Sequence, residues 1–158
     1  MIRRYSFRAE PQGDTYKALV QFAAARASSV LLVVRPDLSL AASAMDTLAR
    51  LRPHLRVEEQ RDAWPGTKLW GGLATLGRYD FVPEVASILA SVATGLFQWR
   101  QPELPEDLCF LRGNERPWLV SIAHESDAYF EGSEPEHEEL LKAVPGLPVT
   151  LNDVADPD

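Results

Sequence analysis

Residues 104–130 read LPEDLCFLRGNERPWLVSIAHESDAYF, and this stretch decides the fold. It contains two apolar runs, Leu108–Leu111 and Trp118–Ile122, joined by a polar link that includes Gly113 and Asn114. Short apolar runs bounded by turn residues predict strands, and a link of this length fits a β-hairpin. Because alternate side chains of a strand face opposite ways, both faces of this hairpin are apolar. We therefore expect it in the middle of a sheet that is covered on both sides.

The N-terminal half alternates between strand and helix patterns. Ile2–Arg8 predicts a short strand, and apolar residues at helical spacing follow from Asp14 onward. The run Val30–Val34 is apolar on both faces, as in a central or parallel strand. Strand, helix and strand in this order predict a βαβ unit. Near the C-terminus, Ser133 followed by Glu136 matches the capping box that begins a helix.

These patterns predict one α+β domain over residues 1–146. It combines a mixed β-sheet, the N-terminal βαβ unit, the C-terminal β-hairpin and about four helices. A length of 158 residues fits one domain with a substantial core. Residues 147–158, which include three aspartates, are expected to form an acidic, loosely ordered tail.

Composition limits the compartment and the chemistry. The single cysteine, Cys109, excludes an internal disulfide and a cysteine-rich metal site, and its apolar neighbours predict a small core residue. No apolar stretch approaches the ~20 residues of a membrane span, and no apolar signal-peptide core follows the basic start MIRRYSFRAE. We expect a cytoplasmic protein that does not enter a membrane and that needs no cofactor.

Charge is unevenly distributed along the chain. The net charge is −7, with nine Lys/Arg against four Asp/Glu in residues 1–56 and seven against nineteen in residues 57–158. Carboxylates repel phosphates, so the acidic part argues against nucleic acid as a ligand. It is compatible with a protein partner that has a basic surface. The alternative is that the surplus carboxylates only keep the domain soluble.

A histidine and two acids directly follow the second strand of the hairpin. His124 with Glu125 or Asp127 could act as acid and base in a small hydrolase-type enzyme, since functional groups are common where a strand meets a loop. In extended backbone, however, His124 faces away from Glu125 and Asp127, and the other histidines complete no recognised metal spacing. The sequence therefore favours a structural or partner-facing role for His124 and predicts no metal site.

An acidic run continues from this point and is the second candidate site. Seven carboxylates fall within the fifteen residues from Glu125 to Glu139. Acids in a helix's first turn are favoured by the helix dipole, which explains some of them without any function. The remainder predicts a surface that steers a basic partner. The predicted partner-binding residues are Glu125, Asp127, Tyr129, Glu131, Glu134, Glu136 and Glu138.

Three short segments carry a family resemblance. LPEDLCFLR at 104–112 and SIAHESDA at 121–128, with WPGT at 64–67, resemble a pattern in small uncharacterised bacterial proteins, some of which are similar to immunity proteins of toxin–immunity pairs. The resemblance implies a non-catalytic protein that neutralises a cognate toxin by binding and occluding it. The alternatives are the hydrolase-type enzyme and a structural or regulatory oligomer that exposes an edge strand.

Overall fold

A large antiparallel sheet organises the chain. The computed structural model describes residues 1–147 and, for the backbone alone, 149–154. The strands are β1 (Arg3–Phe7), β2 (Ser29–Val34), β3 (Leu55–Arg61), β4 (Ala63–Trp64), β5 (Thr67–Lys68), β6 (Ala74–Asp80), β7 (Glu106–Leu111), β8 (Pro117–Ile122), β9 (Asp127–Gly132) and β10 (Val149–Val154). The helices are α1 (Asp14–Ala24), α2 (Ala42–Leu51), α3 (Pro83–Val92) and α4 (Glu134–Ala143).

Strand order in the sheet is β10-β1-β9-β8-β7-β2-β6-β3, and β4 pairs with β5 as a separate ribbon. The α+β class is confirmed. Every pair of neighbouring strands in the described residues is antiparallel, so the expected mixed sheet is antiparallel instead. The predicted βαβ unit differs in its pairing, because its two strands are not neighbours in the sheet. Strands β1 and β2 point in one direction, but β9, β8 and β7 lie between them.

The hairpin of β7 and β8 is central, as the sequence predicts. Cys109 pairs with Val120 and Phe110 pairs with Leu119, while β2 flanks β7 and β9 flanks β8. All six residues of β7 are buried. A strand that is covered on both faces needs apolar side chains at successive positions, and this stretch supplies them.

The larger core lies on the sheet face that carries α1, α3 and α4. Phe110 stacks on Phe81 with ring centroids 5.2 Å apart, and Trp118 meets Phe130 edge-on at 5.1 Å. Tyr16, fully buried on α1, donates a hydrogen bond to the Leu89 carbonyl at 2.6 Å. Ring pairs such as Phe110–Phe81 and Trp118–Phe130 each add about 0.5–1.5 kcal/mol of stability beyond the effect of the area that they bury.

A smaller core lies on the opposite face, beneath the β4–β5 ribbon. Trp64 packs there with eight buried residues of the sheet: Leu31, Val33, Ala74, Leu76, Cys109, Leu111, Val120 and Ile122. Pro65 and Gly66, the latter with φ +87°, form the turn, in agreement with the type II pattern. A Cβ on Gly66 would lie 2.6 Å from Ile122, so glycine also allows the ribbon to approach the sheet.

Two strands occupy the edges of the sheet. Strand β3, with the sequence LRVEEQR, is exposed along almost its whole length, and Arg56 forms an ion pair with Asp80 of β6. At the other edge β10 pairs with β1, so Val149–Val154 form a strand within the segment expected to be a loose tail. Leu147 is buried in the larger core. Residues 148 and 155–158, the rest of that segment, lie outside the described residues.

None of the helices in the described part of the chain has the length and apolar character needed to cross a membrane.

The central hairpin gives a direct stability prediction. Phe110→Ala should lower the free energy of unfolding by ~3–5 kcal/mol, because it removes a fully buried ring from two aromatic contacts. Trp70→Ala is the matched control, since that ring is 96% exposed and its loss should change stability by less than ~0.5 kcal/mol. Urea unfolding of both variants checks this. Equal midpoints for the two would contradict the central position of β7.

Candidate functional site

A cleft of about 520 Å³ opens beside the ribbon. Its walls come from three places: the residues after β2, the turn and loop of the ribbon, and the turn after β8. The lining residues are Arg35, Pro36, Asp37, Gly66, Thr67, Lys68, Leu69, Trp70, Gly71, Gly72, Leu73, His124 and Glu125. The cleft therefore combines exposed apolar side chains of the loop with charged and titratable groups.

A fully buried aspartate lies under this cleft. Asp107 Oδ2 accepts a hydrogen bond from the Trp64 indole N–H at 3.0 Å, and Oδ1 accepts one from the Ala123 backbone N–H at 2.9 Å. Trp64 belongs to the ribbon and Ala123 to the turn after β8. The Asp107 carboxylate thus holds the ribbon and the turn against β7.

The backbone at Asp107 is unusual. Its φ is +54°, a left-handed conformation that costs a non-glycine residue roughly 1–3 kcal/mol. The register against β2 shifts here, since Leu31 pairs with Cys109 but Val33 pairs with Glu106. Strand β7 therefore carries one extra residue, as in a β-bulge, a feature that re-aims side chains next to functional sites. The bulge allows the neighbours Glu106 and Asp107 to reach the same histidine.

His124 is the titratable group that joins this cluster to the cleft. It lies in a short 3₁₀ turn, Ala123–Glu125, which ends at Ser126 with φ +54°. Its Nδ1 is 3.3 Å from Asp107 Oδ1 and 3.9 Å from Glu106 Oε2. The side chain is 26% exposed, whereas both carboxylates are buried. His124 can therefore face solvent on one side and two carboxylates on the other.

Glu106 is the least satisfied member of the cluster. The residue is 2% exposed, and Oε1 accepts a hydrogen bond from the Gln101 backbone N–H at 2.7 Å. No group among the described residues donates a hydrogen bond to Oε2. Burial is the main cause that raises the pKa of Glu106, and the Asp107 charge raises it further, while the Gln101 hydrogen bond and His124 act in the opposite direction.

His124 contacts acids other than the two that the sequence pairs with it for an enzyme. His124 contacts Asp107 and Glu106, while Glu125 and Asp127 are exposed. Asp127 instead accepts a hydrogen bond from the Ala128 backbone N–H at 2.9 Å. Sequence reasoning missed the two acids of β7, which lie seventeen and eighteen positions before His124. The available signal was two acidic residues at the start of an otherwise apolar strand.

The structure divides the seven predicted partner-binding residues by their surroundings. Glu131 is buried and pairs with Arg4 at 2.8 Å, and Glu136 pairs with Arg112 at 2.6 Å. Tyr129 is half-buried, with the Arg4 guanidinium 4.1 Å from its ring centroid. The four that are exposed and form no ion pair with the described residues are Glu125, Asp127, Glu134 and Glu138.

The exposed carboxylates do not form one group. Glu125 precedes β9 and Asp127 is its first residue, whereas Glu134 and Glu138 lie on α4, after that strand. Six residues of strand span ~17–20 Å, about twice the Debye length at physiological salt. Glu134 and Glu138 also belong to the helix-covered face, because α4 contributes Leu140 to the larger core. Only Glu125, with Asp127 close by in sequence, borders the cleft.

Cys109 is a core residue, as expected. It is fully buried in the smaller core, and burial raises the pKa of its thiol to about 12. A thiol of this kind is protonated at neutral pH and does not act as a nucleophile.

The three sequence segments WPGT, LPEDLCFLR and SIAHESDA meet in space at Asp107. WPGT forms the ribbon turn and supplies the Trp64 donor, LPEDLCFLR contains Asp107, and SIAHESDA supplies Ala123 and His124. No protein-family model, curated protein or solved structure matches this chain.

Replacing the buried carboxyl tests its protonation. The raised pKa of Glu106 means that the folded protein keeps a proton at a pH where the unfolded chain has lost it. Stability therefore falls as pH rises from the ordinary carboxyl range through the raised pKa. At pH 7, with no metal ion added to either protein, we expect the Glu106→Gln variant to be more stable than wild type by about 1 kcal/mol. The substitution removes a buried charge whose oxygens are only partly hydrogen-bonded.

That difference should shrink as pH falls below the ordinary carboxyl range, where Glu106 is protonated in both states. Urea unfolding across pH measures it, with the exposed Glu125→Gln as the control that should show no such trend. A difference that stays constant with pH would show that Glu106 keeps its ordinary pKa.

Proposed function

We propose that this chain is a non-catalytic, cytoplasmic binding protein of the immunity type, which neutralises a bacterial toxin by binding and occluding it. One observation carries the proposal: Trp70, on the wall of the cleft, is 96% exposed. The other three tryptophans, Trp64, Trp99 and Trp118, are buried. Tryptophan is enriched among the residues that dominate binding energy at protein interfaces. A ring in water beside a concave surface is suited to insert into a partner.

The residues around Trp70 support this role. Leu73, in the same loop, is 50% exposed, so the loop presents two apolar side chains to solvent. Gly71 and Gly72 lie between them, and a Cβ at either would meet no atom within 4 Å. Gly72 has φ +75°, which glycine adopts without strain. The loop can therefore adjust when Trp70 packs against another surface.

The charges beside Trp70 support a basic partner. Glu125 lies on the cleft wall and forms no ion pair with any described residue, whereas the basic residues there, Arg35 and Lys68, pair with Asp37 and Asp62. The available charge beside Trp70 is therefore negative, in agreement with the net charge of −7. We infer a partner with a basic surface and an apolar pocket that accepts the indole ring. The toxin itself is inferred from the family resemblance.

Removing the indole ring tests the anchor. Trp70→Ala should weaken the complex with a toxin domain encoded beside this chain's gene by at least ~30-fold, the loss typical of a hot-spot residue. Rescue of cells that express the toxin should be lost in parallel. Met45→Ala, on the 54% exposed Met45 of α2, is the control and should bind as wild type does. Unchanged affinity of Trp70→Ala would place the interface elsewhere, and failure of the wild-type chain to rescue growth would refute the immunity function.

Charge replacement locates the acidic contact. We expect the double variant Glu125→Gln/Asp127→Asn to associate ~10-fold more slowly with the toxin domain at low salt, and the difference to disappear as salt rises. Glu134→Gln/Glu138→Gln removes the same charge from the far end of β9 and is the matched control. Association rates at several ionic strengths measure both. A larger effect of the α4 pair would assign the interface to the helix-covered face.

A second candidate function rests on the His124 contacts. We propose as the alternative a small hydrolase-type enzyme in which Asp107 orients the ring and leaves Nε2 of His124 as acid or base. The supporting observation is the 3.3 Å approach of Asp107 Oδ1 to His124 Nδ1 beneath a cleft. Turnover of ester or phosphoester substrates should then vanish in His124→Gln. Equal rates for wild type and variant would exclude it.

A further inference from the structure

We propose that Glu106, Asp107 and His124 form a metal site that takes a divalent transition-metal ion, with Zn²⁺ as the best match. Each residue offers one ligand atom, and the three atoms lie within 4.8 Å of one another. One imidazole nitrogen and two carboxylate oxygens are a donor set that zinc accepts in proteins. The site is a property of this chain alone and goes beyond the proposed binding of a partner.

The separations are close to those that one ion requires. With ligand distances of ~2.0–2.2 Å, two donors of a tetrahedral zinc lie ~3.3–3.5 Å apart. His124 Nδ1 is 3.3 Å from Asp107 Oδ1 and 3.9 Å from Glu106 Oε2. The Glu106 and Asp107 oxygens lie within 4.8 Å of each other, so side-chain movements of about 1 Å or less would bring all three donors to one ion. No backbone rearrangement is needed.

A separate observation points to a ligand at this place. Glu106 is only 2% exposed, yet its Oε2 accepts no hydrogen bond from the described residues. Buried carboxylate oxygens are normally paired, because an unsatisfied one costs about 1–3 kcal/mol or more. This oxygen faces His124 and Asp107, and a cation bound between them would satisfy it.

The surrounding hydrogen bonds already orient the proposed ligands. The Trp64 indole fixes Asp107 through Oδ2, the Ala123 N–H reaches Oδ1, and the Gln101 N–H fixes Glu106 through Oε1. Each carboxylate is therefore held by backbone or indole donors, with Glu106 Oε2 left over. Hydrogen bonds of this kind orient ligands in known metal sites. His124 provides access to solvent, since it lines the cleft.

The donor set also separates zinc from the common alkaline-earth ions. Magnesium and calcium prefer oxygen ligands, and magnesium retains several waters in octahedral geometry. The imidazole nitrogen favours zinc instead. Metal ligands must be deprotonated, so zinc affinity at a site of this kind decreases as pH falls.

The test uses the full chain, stripped of metal with a chelator and dialysed against Zn²⁺ alone at neutral pH. We expect one zinc per chain by elemental analysis, with Mg²⁺ unable to compete. Glu106→Gln and His124→Gln should each weaken zinc binding by at least ~10–100-fold. Glu125→Gln, which removes an exposed acid next to His124, should bind zinc as wild type does.

Urea unfolding without metal shows whether each variant is folded. Glu106→Gln keeps the shape of the side chain, so it decides the outcome even if His124→Gln unfolds. Zinc should raise the thermal midpoint of wild type and of Glu125→Gln, but not that of folded Glu106→Gln. The proposal is overturned if wild type binds no stoichiometric zinc or if Glu106→Gln binds it equally well. Because partner binding is measured through Trp70, failure here leaves the proposed function intact.

Discussion

The cleft depends on the hydrogen bonds that the Asp107 carboxylate accepts. This carboxylate receives one hydrogen bond from the ribbon through Trp64 and one from the turn after β8 through Ala123, and it approaches His124. Three segments that are far apart in sequence are joined at one side chain. Without it, the ribbon would lose the hydrogen bond of Trp64 to β7, and the turn that carries His124 would lose that of Ala123.

Such a carboxylate is stable in the interior only because its oxygens are paired. An isolated buried charge would cost several kcal/mol, and hydrogen bonds to an ionised acceptor recover about 1.5–3 kcal/mol each. Asp107 has both oxygens paired, whereas Glu106 has one. The two adjacent acids therefore differ in hydrogen bonding, and burial raises the pKa of Glu106. This inequality, together with the positive φ of Asp107, distinguishes the site from an ordinary buried ion pair.

Sequence patterns predicted the local elements better than their arrangement. The β7–β8 hairpin was predictable because both of its faces are apolar, and α4 because Ser133 accepts the hydrogen bond from the Glu136 N–H that its capping pattern implies. The position of β1 was not predictable, since helical and strand periodicities carry no information about which distant strands pair.

The same limit applies to the site. Alternation along an ideal strand places Glu106 and Asp107 on opposite faces, and only the bulge brings both to His124. The acidic run separated for a related reason. Glu131 forms an ion pair with Arg4 and Glu136 forms one with Arg112, and both arginines come from distant parts of the chain. Acids that are clustered in the sequence are therefore not clustered on the surface.

Strand β3 has a consequence for self-association. It is an edge of the sheet, and an open edge can pair with the edge of another molecule and begin aggregation. Here the edge carries Arg56, Glu58, Glu59 and Arg61 on a strand that is exposed on both faces. Pairing a second copy of this strand would force several of these charges out of water and place some beside like charges. The composition of β3 therefore acts as a barrier to edge-to-edge polymerisation, and it leaves the apolar loop at Trp70 as the more favourable place for contact with another protein.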